Sequence, residues 1–209
     1  ITSIADKIPT AAENVHDDTA GLHDSPAQGV AKTGSEGSDV LGYVYSADMF
    51  TVSASSSFSA TGAEESIALS MTPIEGLAIG AGVGTNMSTA AVVDGGVNED
   101  DISTYYATYT AGPVSIGYQD TKVDGEIAAT DIDASHYGIS FAVNENMSVS
   151  YGERKVEFDS LANDEESKGV SISYTAGSMK FTAVNNDKDN VGGGAADDEV
   201  FELKLSMAF

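Results

Sequence analysis

The 209-residue sequence contains no cysteine and no tryptophan. Without cysteine the chain has no disulfide framework and no thiol chemistry, which fits an exported protein that avoids stray oxidation. Bases are scarce too, because 9 lysine and arginine residues face 33 aspartate and glutamate residues, for a formal net charge of −24. Nucleic-acid binding needs clusters of lysine and arginine, so this composition argues against a nucleic-acid partner.

The sequence also has no long apolar helix. One of its two longest runs without a charged residue, 76–93, has 18 residues, a length that calls for a test as a membrane helix. Four glycines and a polar second half make this run a poor helix former. The chain opens at Ile1 with no secretory signal, which we interpret as a mature or truncated start.

A period of two dominates the sequence. Near the end, Phe201, Leu203 and Leu205 alternate with Glu202 and Lys204, and in a strand these two sets point to opposite faces. The pattern predicts eleven strands, at 40–46, 49–57, 66–72, 77–84, 102–110, 113–118, 134–142, 147–152, 169–175, 178–185 and 200–209. Short turns and longer loops alternate between them, as in an up-and-down antiparallel meander. We therefore predict an all-β fold.

Charged residues avoid these predicted strands. Of the 33 acidic residues, 29 lie in the long connections, and only Glu202 lies within a strand; among the bases only Lys180 and Lys204 do. A soluble sandwich has a charged outer face, whereas here the polar face is serine, threonine, glycine and alanine. Tyrosine and phenylalanine cluster at both strand ends, which is typical of a transmembrane barrel. A soluble core covered by strand-end tyrosines is the alternative.

The count of eleven conflicts with a closed barrel, because single-chain bacterial barrels have an even number of strands. An open sheet in lipid would leave backbone groups unpaired. Either the count is wrong or strands are missing at the N-terminus. Residues 1–39 support the second explanation, since a connection of this length without alternation is usually functional.

Two stretches resemble a known family. Residues 40–55, VLGYVYSADMFTVSAS, are similar to the sixth and seventh strands of Gram-negative general porins, and residues 202–209, ELKLSMAF, are similar to their last strand. The porins of alphaproteobacteria are the most similar. Porins of this family have sixteen strands, and a long third loop after strand five folds into the lumen.

The resemblance implies that residues 1–39 correspond to this constriction loop and that 40–209 are the last eleven strands, with five strands missing before them. It also implies a homotrimer in the outer membrane of a Gram-negative bacterium, in contact with lipid and lipopolysaccharide.

Residues 1–39 are the main candidate for ion selectivity, since seven acidic residues and two lysines give them a charge of −5. The predicted constriction residues are Asp6, Glu13, Asp17, Asp18 and Asp24. In a narrow pore such charges concentrate cations and repel anions. We predict passive diffusion of ions and small hydrophilic solutes with a preference for cations. The alternatives are a solvated acidic loop without this role, a soluble or surface-exposed acidic β-domain for binding or adhesion, and a substrate-selective outer-membrane channel.

The remaining candidates are few. Alternation places His136, Glu202 and Lys204 toward the lumen, and Arg154, near the outer rim, is a fourth predicted lumen-facing side chain. With three histidines, no cysteine and no Gly-x-Ser-x-Gly motif, the sequence predicts no enzyme and no required cofactor. The alternate glycines at 80, 82 and 84 predict a small-residue wall of a strand rather than a phosphate loop.

A partial calcium motif lies near the C-terminus. Asp187, Asp189 and Gly192 imitate an EF-hand loop, but Val191 stands where an oxygen ligand belongs and Asp198 replaces the glutamate. We therefore do not expect an EF-hand. The family resemblance implies only loosely bound calcium at acidic loops, and the sequence does not identify its ligands.

Overall fold

The computed structural model describes residues 40–57, 64–88, 98–125 and 131–207. These ranges form eleven strands and one turn of 3-10 helix, Val191–Gly193. The strands are β1 (Val40–Ser46), β2 (Phe50–Ser57), β3 (Glu65–Ile74), β4 (Leu77–Ser88), β5 (Asn98–Ala111), β6 (Val114–Gly125), β7 (Ile132–Asn144), β8 (Met147–Phe158), β9 (Glu165–Ala176), β10 (Met179–Asp189) and β11 (Asp198–Met207). None of the helical structure within these ranges is long and apolar enough to cross a membrane.

All eleven strands belong to one antiparallel sheet, in which each strand pairs with its neighbours along the chain. The predicted all-β, up-and-down arrangement and its number of strands are confirmed. Tight turns join every second pair, and at Gly76, where φ is +80°, a Cβ would collide with the carbonyl oxygen of Thr110. In the described ranges no pairing joins β1 to β11, so the sheet is open, with these two strands as its edges.

Six strands are longer than predicted at their long-loop ends. β4, β5, β6, β8, β9 and β10 continue four to seven residues further, and β6 ends at Gly125 rather than at 118. Pairing continues past the apolar segment because it satisfies backbone N–H and C=O groups whatever side chains the residues carry. The apolar pattern therefore marks only part of each strand.

This extension corrects the predicted distribution of charge. The interpretation that Glu202, Lys180 and Lys204 are the only charged residues within strands is wrong. The extended strand ends carry many more, among them Asp120, Lys122, Glu153, Arg154, Lys155, Glu165, Lys168 and Lys188. The uncharged part of the sheet is thus a band, with charged residues on the same strands beyond it.

Burial alternates along the strands and defines two faces. In β9, Ser167 and Ser171 are buried, whereas Val170 between them is exposed. We call the buried set the inner face and the exposed set the outer face. Large apolar side chains such as Ile67 and Leu203 are exposed on the outer face. Polar residues inside and apolar residues outside are the reverse of a soluble sandwich and match a lipid-facing barrel wall.

Neighbouring strands are staggered. One row of inner-face partners runs Tyr106, Gln119, His136, Arg154, Ser167 and Lys188, from β5 to β10. Tyr106 lies eight residues from the long-loop end of its strand, whereas Lys188 lies one residue from that end. A steady stagger of this kind accompanies the strand tilt that barrel closure requires.

Candidate functional site

The inner face is a wall of small hydroxyl groups that pair across strands. The hydroxyl oxygens of Ser55 and Ser66 are 2.7 Å apart, and so are those of Ser150 and Ser171. The next inner-face row toward the tight turns lies two residues from the row that contains His136. Across β6 to β9 the register partners in this row are all glycines: Gly117, Gly138, Gly152 and Gly169. These glycines form a strip without side chains, so this part of the wall is both polar and low in relief.

The alternate glycines of β4 have a packing role. A Cβ at Gly80 would lie 2.5 Å from Cε1 of the Tyr106 ring and 2.9 Å from the carbonyl oxygen of Leu69. A Cβ at Gly84 would lie 2.8 Å from the carbonyl oxygen of Glu65. These glycines therefore allow close contact within the wall, and they stand on a strand rather than in a phosphate-binding loop.

A buried charge cluster lies on the inner face where β8, β9 and β10 approach their long-loop ends. Glu165 Oε1 lies 3.1 Å from Arg154 Nη1 and 3.4 Å from Lys188 Nζ. Glu165 Oε2 accepts a hydrogen bond of 2.7 Å from the backbone N–H of Gly192. The three side chains are only 6–7% exposed, and buried charges of this kind require partners. One carboxylate thus serves two cations, which leaves a formal cluster charge of +1.

His136 stands beside this cluster as the register partner of Arg154. Its side chain is 1% exposed, and neither ring nitrogen has a hydrogen-bond partner among the described residues. Asn186, the register partner of Gly169, is similarly buried, and both polar atoms of its side-chain amide lack a partner within the same ranges. Buried polar atoms are nearly always hydrogen-bonded in proteins, so this patch is the part of the wall best suited to hold water or a polar solute.

The four predicted lumen residues all lie on the inner face. His136 and Arg154 are neighbours, whereas Glu202 and Lys204 lie on the edge strand β11, opposite Val184 and Thr182. Glu202 is half-buried and Lys204 is exposed. The five predicted constriction residues, Asp6, Glu13, Asp17, Asp18 and Asp24, lie outside the described residues.

Sequence reasoning missed Glu165 and Lys188 because it assigned both to loops. The sequence did contain a signal, because residues separated by an even number of positions along a strand lie on the same face. Glu165 is six residues before Ser171, and Lys188 is six residues after Thr182, so alternation continued past the apolar segments places both on the inner face.

Tyrosines mark the boundary between apolar and charged residues on the outer face. The Tyr118 hydroxyl donates to Asp120 Oδ2 at 3.0 Å, and the hydroxyls of Tyr137 and Tyr151 both donate to Glu153. Such rings combine an apolar body with a polar tip and prefer a membrane interface. We call Tyr118, Tyr137 and Tyr151 the tyrosine belt.

Beyond the tyrosine belt the outer face is charged. Lys155 Nζ lies 2.5 Å from Glu157 Oε1 and 2.9 Å from Asp164 Oδ2. Lys155 is therefore paired both with a carboxylate of its own strand and with one from the connection 159–164.

The two connections at this corner of the sheet, 159–164 and 190–197, bind each other. Asn163 Nδ2 donates to the carbonyl oxygen of Gly194 at 2.8 Å, and Asn190 Nδ2 donates to that of Asp164 at 3.1 Å. Gly193 is buried, and a Cβ there would collide with Leu161. The loops are thus joined at the same corner as the charge cluster.

The partial calcium motif does not form a loop. Asp187 and Asp189 belong to β10 and are exposed on its outer face. No group of three or more histidine, cysteine, aspartate or glutamate side chains within the described ranges is arranged to hold a metal ion. Calcium binding by acidic loops stays a prediction.

A comparison with protein families identifies the family of this chain. A family model described as Gram-negative porin matches residues 2–178. The chain belongs to the Gram-negative porin family. This membership agrees with the inverted faces of the sheet and places the porin in the outer membrane of a Gram-negative bacterium. No curated protein sequence matches the chain closely enough to count as a relative.

Solved structures show the same fold. A structure titled porin refined at 1.8 Å matches with a TM-score of 0.62 and 21% identity, over 81% of this chain and 61% of that chain. OmpT of Vibrio cholerae matches with a TM-score of 0.57 and 20% identity, over 81% and 59%. A trimer form of OmpT matches with a TM-score of 0.53 and 21% identity, over 91% and 62%. The chain therefore spans about three fifths of the length of these proteins.

Proposed function

We propose that this porin forms a water-filled pore through which ions and small hydrophilic solutes diffuse passively, with a preference for cations. The inverted sheet carries this proposal, because a polar inner face and an apolar outer face suit a wall between water and lipid. The proposal includes no covalent step and no cofactor.

The inner wall supports diffusion of many solutes rather than tight binding of one. The serine hydroxyls of the wall can hydrogen-bond to water, and the four-glycine strip leaves little relief that could trap a solute. Conduction requires interactions weak enough for a solute to leave again.

Charge at the long-loop end supports cation preference. The outer face beyond the apolar band carries three lysines, Lys122, Lys155 and Lys168. They are outnumbered by ten acidic residues, which we call the acidic collar: Asp101, Asp120, Asp124, Asp133, Glu153, Glu157, Glu166, Asp187, Asp189 and Glu199. A negative collar raises the local concentration of cations at the mouth it surrounds. The acidic residues of 1–39 would add to this field if they enter the lumen.

We further propose that the porin assembles as a homotrimer in contact with lipid and lipopolysaccharide. The trimer form of OmpT, which shares the fold, supports this assembly. The exposed apolar side chains of the outer face supply the surface that lipid or a neighbouring subunit would cover.

A substrate-selective channel is the second candidate. The unpartnered buried atoms of His136 and Asn186 favour it, because a bound solute could supply their hydrogen bonds. Competition between solutes in liposome swelling separates the two functions, since a general pore ranks solutes by size and a selective channel shows saturation by one of them.

The test of the main proposal is the reversal potential in a planar bilayer under a KCl gradient, with the protein purified from its native outer membrane. We expect stepwise conductance and a cation-selective potential. The double variant Asp17→Asn/Asp18→Asn should reduce the selectivity, and Asp187→Asn/Asp189→Asn on the outer face is a control with the same change of charge. Absence of conductance steps would refute the pore, and equal shifts in both variants would refute the role of Asp17 and Asp18.

A further inference from the structure

We infer that Glu165 sets the ion selectivity of the porin by masking two cationic side chains of the inner wall, Arg154 and Lys188. The inference deepens the proposed function and rests on it, because masking matters only in a pore that conducts ions and prefers cations.

A single carboxylate oxygen holds both cations. Glu165 Oε1 lies 3.1 Å from the Arg154 guanidinium and 3.4 Å from the Lys188 ammonium. The cations come from β8 and β10, on either side of the strand that carries Glu165. Both long side chains are therefore drawn toward the middle strand, along the wall rather than away from it.

The other oxygen is held by the backbone. Glu165 Oε2 accepts the N–H of Gly192 at 2.7 Å, and Asn190, two residues earlier, is joined to Asp164 beside Glu165. A backbone donor in a loop anchored in this way fixes the orientation of the carboxylate. Glu165 is thus a positioning residue with three partners rather than half of a mobile surface pair.

Burial keeps all three charged groups largely out of contact with solvent. The side chains of Arg154, Glu165 and Lys188 are 6%, 6% and 7% exposed. Without the carboxylate, a guanidinium and an ammonium would stand unshielded near the long-loop mouth, where cations enter. Two such charges would oppose the field of the acidic collar.

The neighbouring residue provides a matched control. Glu166 carries the same charge on the same strand, but it is exposed on the outer face. Glu165→Gln and Glu166→Gln therefore change the net charge of the protein equally, and they differ in the face from which the charge is removed.

The experiment compares both variants with the unmodified protein in planar bilayers under a KCl gradient. We expect Glu165→Gln to lower the K⁺/Cl⁻ permeability ratio by roughly twofold or more, and Glu166→Gln, which removes one of the ten residues of the acidic collar, to lower it by a much smaller factor. Equal ratios in the two variants would overturn the inference. If the unmodified protein forms no channels or prefers anions, the proposed function fails instead.

A double-mutant cycle separates masking from simple addition of charges. If Glu165 masks the cations, Arg154→Gln alone changes the permeability ratio little, because Glu165 remains paired with Lys188. The same change has a larger effect on the ratio in the Glu165→Gln background, where the cluster no longer contains a carboxylate. If Glu165 acts only as one more pore charge, Arg154→Gln raises the permeability ratio by the same factor in both backgrounds, which overturns the inference.

A further variant avoids removal of the central carboxylate. If Glu165→Gln fails to insert as a heat-stable barrel, the double variant Arg154→Gln/Lys188→Gln can be used instead. It keeps the Glu165 carboxylate and removes both of its cationic partners. Masking predicts that the double variant raises the permeability ratio by a factor larger than the product of the factors measured for the two single variants. Independent effects of the single changes would count against it.

Discussion

Along β7 the two faces of the sheet differ sharply in what they bury. Tyr137, Ile139 and Phe141 on the outer face are 48%, 44% and 41% exposed, whereas Ala134 and His136 on the inner face are 0% and 1% exposed. In a soluble protein the large apolar residues would be buried. The outer face of these strands is therefore suited to contact lipid and the inner face to line a polar interior.

The same comparison explains where charge is tolerated. In the described strands the outer-face charges lie beyond the tyrosine belt, as at Glu153 and Lys155, where headgroups and water can solvate them. On the inner face the buried charges form the cluster in which Glu165 contacts both cations, whereas Lys204 on the edge strand β11 is exposed. Exposed charges on either face are therefore solvated, and the buried charges of the inner face are paired.

The largest predicted effect comes from a charge in the apolar band of the outer face. Ile139→Arg should destabilise the folded porin by about 2–3 kcal/mol, because a lipid-facing arginine costs about 2–4 kcal/mol at the bilayer midplane and less toward the interface. Ser140→Arg, one residue further on the same strand, is the matched inner-face change and should cost far less. Reversible urea unfolding from lipid vesicles measures both, and a larger cost at Ser140 would reverse the assignment of the faces.

An intermediate effect is expected where the inner wall is tightly packed. Gly80→Val should cost about 1–3 kcal/mol, because its Cβ lies within 2.5 Å of the Tyr106 ring and the neighbouring backbone leaves it no room. Ala81→Val, on the exposed outer face of the same strand, is the control and should change stability little. The same unfolding measurement applies, and equal costs at the two positions would show that the Tyr106 contact is unimportant.

The smallest effect is expected at the tyrosine belt. Tyr137→Phe should cost about 0.5–1 kcal/mol, since it removes one exposed hydrogen bond to Glu153 and keeps the ring at the interface. Tyr118→Phe, which removes the bond to Asp120, should behave in the same way. Thermal unfolding in detergent detects both, and an effect as large as that of Ile139→Arg would mean that these hydroxyls lie in the apolar band.

Sequence reasoning predicted the sheet well and its ends poorly. Alternation such as that of Phe201 to Met207 locates a strand wherever apolar residues mark one face, and all eleven strands were found in this way. Beyond that band β6 continues through Asp120 to Gly125, where the outer face is charged and the inner face mixes Thr121 with Val123, so the pattern of an apolar outer face is lost. The predicted strand ends therefore followed side-chain polarity, whereas the real ends follow backbone pairing.

The candidate site could be predicted only in part. Arg154 was predicted near the outer rim, and alternation placed His136, Glu202 and Lys204 on the inner face, since a strand has only two faces. It gave no register between strands, so it could not show that His136 neighbours Arg154 or that Glu165 lies between Arg154 and Lys188.

Local alternation and the order of short and long connections predicted the all-β meander, its number of strands and which residues share a face. They could not predict which residues meet across the sheet, because register is set by pairing between strands in the folded protein and one residue of slip would exchange the two faces. The cluster around Glu165 depends on that register, and so does the selectivity that we infer from it.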